Sequence, residues 1–251
     1  MKQLFFACGL AASVLGHSAP LWSNGPYITK PGAGFNGADA SEWTVFNTPS
    51  GPIASNIGVN HGFFRVIEDF EISGNQPWKL QEFASFAFRS TTNTTFPPVS
   101  TFASVHVAIF TSDPVTGSPT PIWGDFVTNR YSGSGWTGAY RVSPSDLTNR
   151  TRGIMEVRAD LASAPILNPG KYWIEYGLQS TSTSSPVFAV GVSPVGSGNA
   201  FQRDIRAGVT YPWAPVETAF ELRGTVVPDP ASFLVLAGGL GVFLAQRRRR
   251  R

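Results

Sequence analysis

Cysteine is almost missing from this chain: Cys8 is the only one in 251 residues. It sits inside an apolar N-terminal run, so everything after that run lacks disulfide and thiol chemistry. Charge is also sparse, at 14% of residues, and the basic excess is local. Without Lys2 and the terminal run Arg247–Arg251, 13 of the 19 basic residues remain against 16 acids. The body is therefore mildly acidic and has no basic footprint, which argues against nucleic acid as a partner. No stretch of about ten residues or more carries a helical hydrophobic period. Phosphate-binding glycine loops, an EF-hand loop and H-E-x-x-H are all absent. Ser134 and Ser197 lie among glycines, yet each lacks the glycine two positions earlier that a nucleophile elbow requires. His61 and His106 have no cysteine or helical spacing to make a zinc site, and His106 is expected to be solvated on the polar face of a strand.

Both ends read as targeting segments. Lys2 followed by the apolar run Leu4–Leu15 has the charge and length of a secretory signal helix, too short to span a bilayer. Cleavage after Gly16, Ser18 or Ala19 would define residues 1–19 as a signal peptide, with the Sec translocon and signal peptidase as partners. At the other end, Val227-Pro228-Asp229-Pro230-Ala231-Ser232 precedes small and apolar residues up to Ala245, then Gln246 and the arginines Arg247, Arg248, Arg249, Arg250 and Arg251. As a helix, residues 231–245 would rise about 22 Å, short of the roughly 30 Å hydrocarbon core. A single membrane helix of that length spans only with thinning and snorkelling arginines. Arginine clusters stay cytoplasmic, so everything before Pro228 is expected outside.

That tail resembles the PEP-CTERM family of sorting domains: a Pro-Glu-Pro-like triplet, Ala-Ser, a short apolar helix and terminal arginines. Asp229 stands where the family motif has Glu, which keeps the carboxylate. The resemblance covers about 25 residues, 227–251, and implies processing by an exosortase-like enzyme. It further implies residence at the cell surface or in the extracellular matrix of a Gram-negative bacterium that makes extracellular polysaccharide.

Between the ends, 26 glycines and 20 prolines are spread along short alternating segments. Strands are expected near 53–59, 63–72, 78–88, 102–111, 126–131, 140–142, 154–161, 171–179, 187–192 and 219–226, with residues 20–50 as an irregular lead-in. Residues 51–226 then form one all-β domain, a sandwich or barrel. The order of Asp69-Phe70-Glu71-Ile72, the Trp78 strand, Val105-x-Val107-x-Ile109, Trp123, Pro169-Gly170-x-Tyr172-Trp173 and Ala219-Phe220-x-Leu222-x-Gly224 is similar to that of bacterial surface proteins with this tail. The similarity implies a jelly-roll-like antiparallel β-sandwich and supplies no activity.

Two residue groups carry candidate chemistry. Tyr131, Trp136 and Tyr140 flank the loop Ser132-Gly133-Ser134-Gly135; rings there could stack on sugars or fold back to cap the sandwich. Glu68 and Glu82 lie in strands joined by residues 73–77, and a hairpin with Ile72 facing Trp78 would oppose them. Carboxyl groups about 5 to 5.5 Å apart suit a retaining glycosidase, and calcium favours the same oxygens. A bulge or a one-residue slip would turn both to solvent. The leading expectation is a non-catalytic module binding polysaccharide or a neighbouring surface component. The alternatives are a glycoside hydrolase or lyase, or a purely structural matrix protein.

Overall fold

The computed structural model describes residues 20–48, 51–54, 56–90, 95–181, 186–192, 199–213 and 216–228. The expected signal segment and all of the sorting tail beyond Pro228 lie outside them. No helix among the described residues is long and apolar enough to cross a membrane.

Those residues form an all-β, sandwich-like fold. The strands are β1 (Pro20–Ser23), β2 (Asp39–Glu42), β3 (Val45–Thr48), β4 (Gly51–Ala54), β5 (Asn56–Gly58), β6 (Phe64–Ile72), β7 (Trp78–Arg89), β8 (Phe102–Phe110) and β9 (Trp123–Asp125). They continue with β10 (Tyr131–Val142), β11 (Gly153–Asp160), β12 (Ile166–Leu167), β13 (Gly170–Ser180), β14 (Val187–Val192), β15 (Phe201–Asp204), β16 (Val209–Pro212), β17 (Glu217–Thr218) and β18 (Phe220–Val226). One sheet has the order β1-β18-β7-β11-β10-β2, with β12 and β14 added on β7 and β5 and β17 on β14. The second has the order β16-β15-β6-β13-β8-β9, and β3 pairs β4 separately. Pairing is antiparallel except for β10 with β2.

Two-residue alternation builds the shared core. Val66, Phe70 and Ile72 of β6, Ile174, Tyr176 and Leu178 of β13, and Val105, Val107 and Ile109 of β8 meet Leu80, Phe83, Val157, Phe220 and Leu222 of the other sheet. The rings of Phe83 and Tyr176 lie 4.9 Å apart. On β7 the alternation breaks: Arg223 pairs with Glu82, but Gly224 pairs with Leu80. Gln81 is the extra residue of this bulge, so Leu80 and Phe83 point inward while Glu82 points out. Gly224 permits the bulge, because a Cβ there would sit 2.2 Å from the Lys79 carbonyl oxygen.

The lead-in segment is more ordered than its sequence implied. β1 pairs β18, β2 pairs β10, and Tyr27 stacks on Phe86 at 4.3 Å, covering the outer face of the larger sheet. A strand expected at 126–131 is replaced by the turn between β9 and β10, and the expected 140–142 strand is the end of the longer β10.

Candidate functional site

The paired-carboxylate expectation fails on topology. β6 and β7 belong to different sheets: Glu68 pairs with Ile174 of β13, and Glu82 pairs with Asp160 of β11 and Arg223 of β18. The five-residue link crosses between layers because β6 already has β13 and β15 as neighbours. Glu68 faces the core, where its Oε1 accepts hydrogen bonds from the Thr218 amide and, at 2.7 Å, the Thr218 hydroxyl. The Tyr176 hydroxyl donates to Thr218 Oγ1 at 2.9 Å. Burial pushes the Glu68 carboxyl well above the ordinary range, against the Thr218 hydrogen bonds that draw it down. Glu82 instead lies on the outer face, bonded to Arg223 at 2.8 Å. Neither a calcium ion nor a glycosidase pair can bridge two carboxylates on opposite sides of a sheet. Among the described residues no three acidic, histidine or cysteine side chains gather to hold a metal.

The expected stacking rings turn inward. Tyr140 is fully buried. Trp136 donates from Nε1 to the Ala139 carbonyl at 3.0 Å and packs against Phe96 and Tyr140. Tyr131 is half-buried, with its hydroxyl 2.7 Å from Ser134 Oγ. These rings cap the sandwich, and Tyr140 cannot stack on a ligand.

The outer face of the smaller sheet carries what the sequence did not point to. Outward positions of β6, β13 and β15 are Arg65, Glu175 and Arg203, with Arg203 paired to Arg65 and Glu175 set between Ile67 and Ala108. Glu175 Oε1 lies 3.5 Å from an Arg65 nitrogen and 3.1 Å from Arg203 Nε. Burial raises the Glu175 carboxyl, and the two guanidinium groups pull it back down. Residues 111–122 between β8 and β9 form a roof. Asp113 braces it, accepting from the Val115 amide at 2.7 Å. Pro114 presents its carbonyl to Arg203 at 2.8 Å, so the loop reaches from β8 across β13 and β6 to β15, roughly 14 Å at normal strand spacing. Beneath it lies a pocket of about 340 Å³, lined by Arg65, Arg203, Glu175, Phe110, Phe126 and Ser118 among others.

One rim of the pocket is the turn after β9. Asp125 Oδ1 accepts from the amides of Thr128 and Val127 at 2.6 and 2.8 Å. Its other oxygen takes the Thr128 hydroxyl and Arg130. Those amide hydrogen bonds hold its carboxyl down to about 2, so Asp125 is a spent anion and a poor base. The turn is pinned from below by two histidines. His61 and His106 stack with ring centres 3.8 Å apart, His61 against the backbone of Phe126 and His106 against that of Thr128. His106 is therefore buried, not solvated, because His61 covers it. Gly177 makes this stack fit, since a Cβ there would come within 2.9 Å of His61 Nδ1. Desolvation, then the neighbouring His106 and Arg65, lower His61 to about 4; desolvation also lowers His106. Phe126, held this way, meets the Arg65 guanidinium at 3.6 Å.

At the far end of the domain the Val227 amide donates to the Pro77 carbonyl at 2.8 Å, and Pro228 is exposed. No protein-family model matches the chain, and no curated protein matches it in sequence. Sequence reasoning missed Arg65, Glu175 and Arg203. A lone charge inside the aromatic run Tyr172-Trp173-Ile174-Glu175-Tyr176 was the available signal for one of them.

Proposed function

We propose that this is an exported protein sorted to the cell surface or extracellular matrix by a PEP-CTERM-like tail, residues 227–251, on which an exosortase-like enzyme acts. Its domain, jelly-roll-like where the chain passes from sheet to sheet at β6-β7-β8 and β12-β13-β14-β15, is a non-catalytic module that binds extracellular polysaccharide. The roofed pocket on the outer face of the smaller sheet carries the binding reading. Aromatic walls and a few convergent polar groups are what a saccharide site requires. The carboxylate pair was the specific argument for a glycosidase, and that argument is gone. Retention of the full-length protein on immobilised neutral and acidic polysaccharides tests the reading. Retention lost on replacing Ser118 and Phe126 supports it; retention on no polysaccharide contradicts it.

A further inference from the structure

We propose that the pocket takes the carboxylate of an acidic sugar residue, docked on the guanidinium groups of Arg65 and Arg203. The inference rests on the polysaccharide-binding reading and specifies its ligand class. Three guanidinium groups, Arg65, Arg203 and the nearby Arg130, stand against two carboxylates, Glu175 and Asp125. Asp125 is already saturated by the turn that follows it and by Arg130.

Glu175 does not saturate the two arginines. Its Oε1 faces Arg203 Nε at 3.1 Å and an Arg65 nitrogen at 3.5 Å, so a single carboxylate is shared between two guanidinium groups. One carboxylate cannot neutralise two guanidinium groups, so the pocket wall keeps a local positive charge. A second carboxylate is the group whose two oxygens match guanidinium edges, and each such hydrogen bond is charge-assisted. One face of Arg65 is covered by Phe126, and its side chain keeps 17% exposure at the pocket wall.

The rest of the pocket suits the sugar ring that bears the carboxylate. Phe126 offers an apolar wall with the buried Phe110 behind it, and Ser118 offers a hydroxyl for ring hydroxyls. A volume of about 340 Å³ is at the small end for ligand sites, enough for one unit of a chain that continues out of the open side. Glu175 sets the strength: as a like charge beside the docked group, it keeps binding weak and readily reversible.

Calorimetric titration of the full chain with oligomers of galacturonate, glucuronate and mannuronate, and with their neutral methyl esters, tests this. At least one acid is expected to bind about tenfold more tightly than its ester, the effect of one charge-assisted contact pair. Arg203→Gln should remove that preference, Arg203→Lys should keep part of it, and Glu175→Gln should tighten the acid. A folding defect would weaken all three variants, so the opposite signs separate electrostatics from misfolding. Equal affinity for acid and ester would overturn this inference and leave the polysaccharide reading standing. Binding of neither would overturn both.

Discussion

The outer faces of the two sheets hold clusters of inverse make-up. On the larger sheet one cation, Arg223, is surrounded by three carboxylates: Glu82 at 2.8 Å, Glu156 at 2.7 Å and Glu221 at 2.6 Å. Burial works against its charge, but the bonds to Glu156 and Glu221 outweigh it and push the guanidinium further up. On the smaller sheet one anion, Glu175, lies between two cations at 3.1 and 3.5 Å, which leaves one positive charge in excess. The first cluster has consumed its central group and ties β7, β11 and β18 together. The second keeps an excess cation and opens into a pocket. Access separates the structural cluster from the binding one: the Arg223 side chain is 9% exposed, those of Arg65 and Arg203 17% and 30%.

Arg223→Leu would test the first half of that contrast most severely. Removing the hub leaves three converging carboxylates, and a loss of about 3 kcal/mol is expected, at the low end for buried pairs because the glutamates are partly exposed. Denaturant unfolding measures it. Trp136→Ala should cost about 2 kcal/mol, less than a fully buried ring, while leaving saccharide retention unchanged. Lost retention would move the ligand site to β10 and break the comparison. Glu175→Gln should cost about 1 kcal/mol, because an amide oxygen still faces both guanidinium groups.

The smallest effects are pH slopes. Glu68 is raised in the fold, so the native state binds the extra proton and stability falls as pH rises above the unfolded value of about 4.3. Glu68→Gln should flatten that slope, and Glu175 adds to it with the same sign. His61 is lowered to about 4 from 6.5, so its contribution is complete above 6.5 and lost as pH falls toward 4. His61→Gln should remove that limb. Unfolding curves of each variant and the parent at pH 4 to 8 resolve the two windows, which carry opposite signs.

Much of the architecture was legible because it depends on local alternation. The strands around Val105 to Ile109, Ile154 to Ala159 and Val187 to Val192 fall where two-residue periodicity and turn residues set them. Pairing partners were not legible: a five-residue link serves a hairpin or a crossover equally well, and only the competition of β13 and β15 for β6 decides it. The bulge at Gln81 was hidden for a related reason, since its cause is the approach of Gly224 from a strand more than a hundred positions away. The pocket assembles Arg65, Glu175 and Arg203 from three strands and a roof loop, and β15 is too short to show periodicity. Tyr131, Trp136 and Tyr140 stood out by their place around a glycine- and serine-rich loop, yet that placement does not say which way a ring faces.

The most direct measurement is the nitrogen-15 edited spectrum of the arginine Nε–H groups during titration with a galacturonate oligomer. The Arg65 and Arg203 signals, assigned through Arg203→Gln and Arg65→Gln, should move together and saturate. Those of Arg223 and of Arg141, buried in bonds to Asn56, Ser41 and Gly191, should stay in place. If Arg65 and Arg203 remain still, or all four signals drift alike, the pocket is not the binding site and the contrast between the two faces fails.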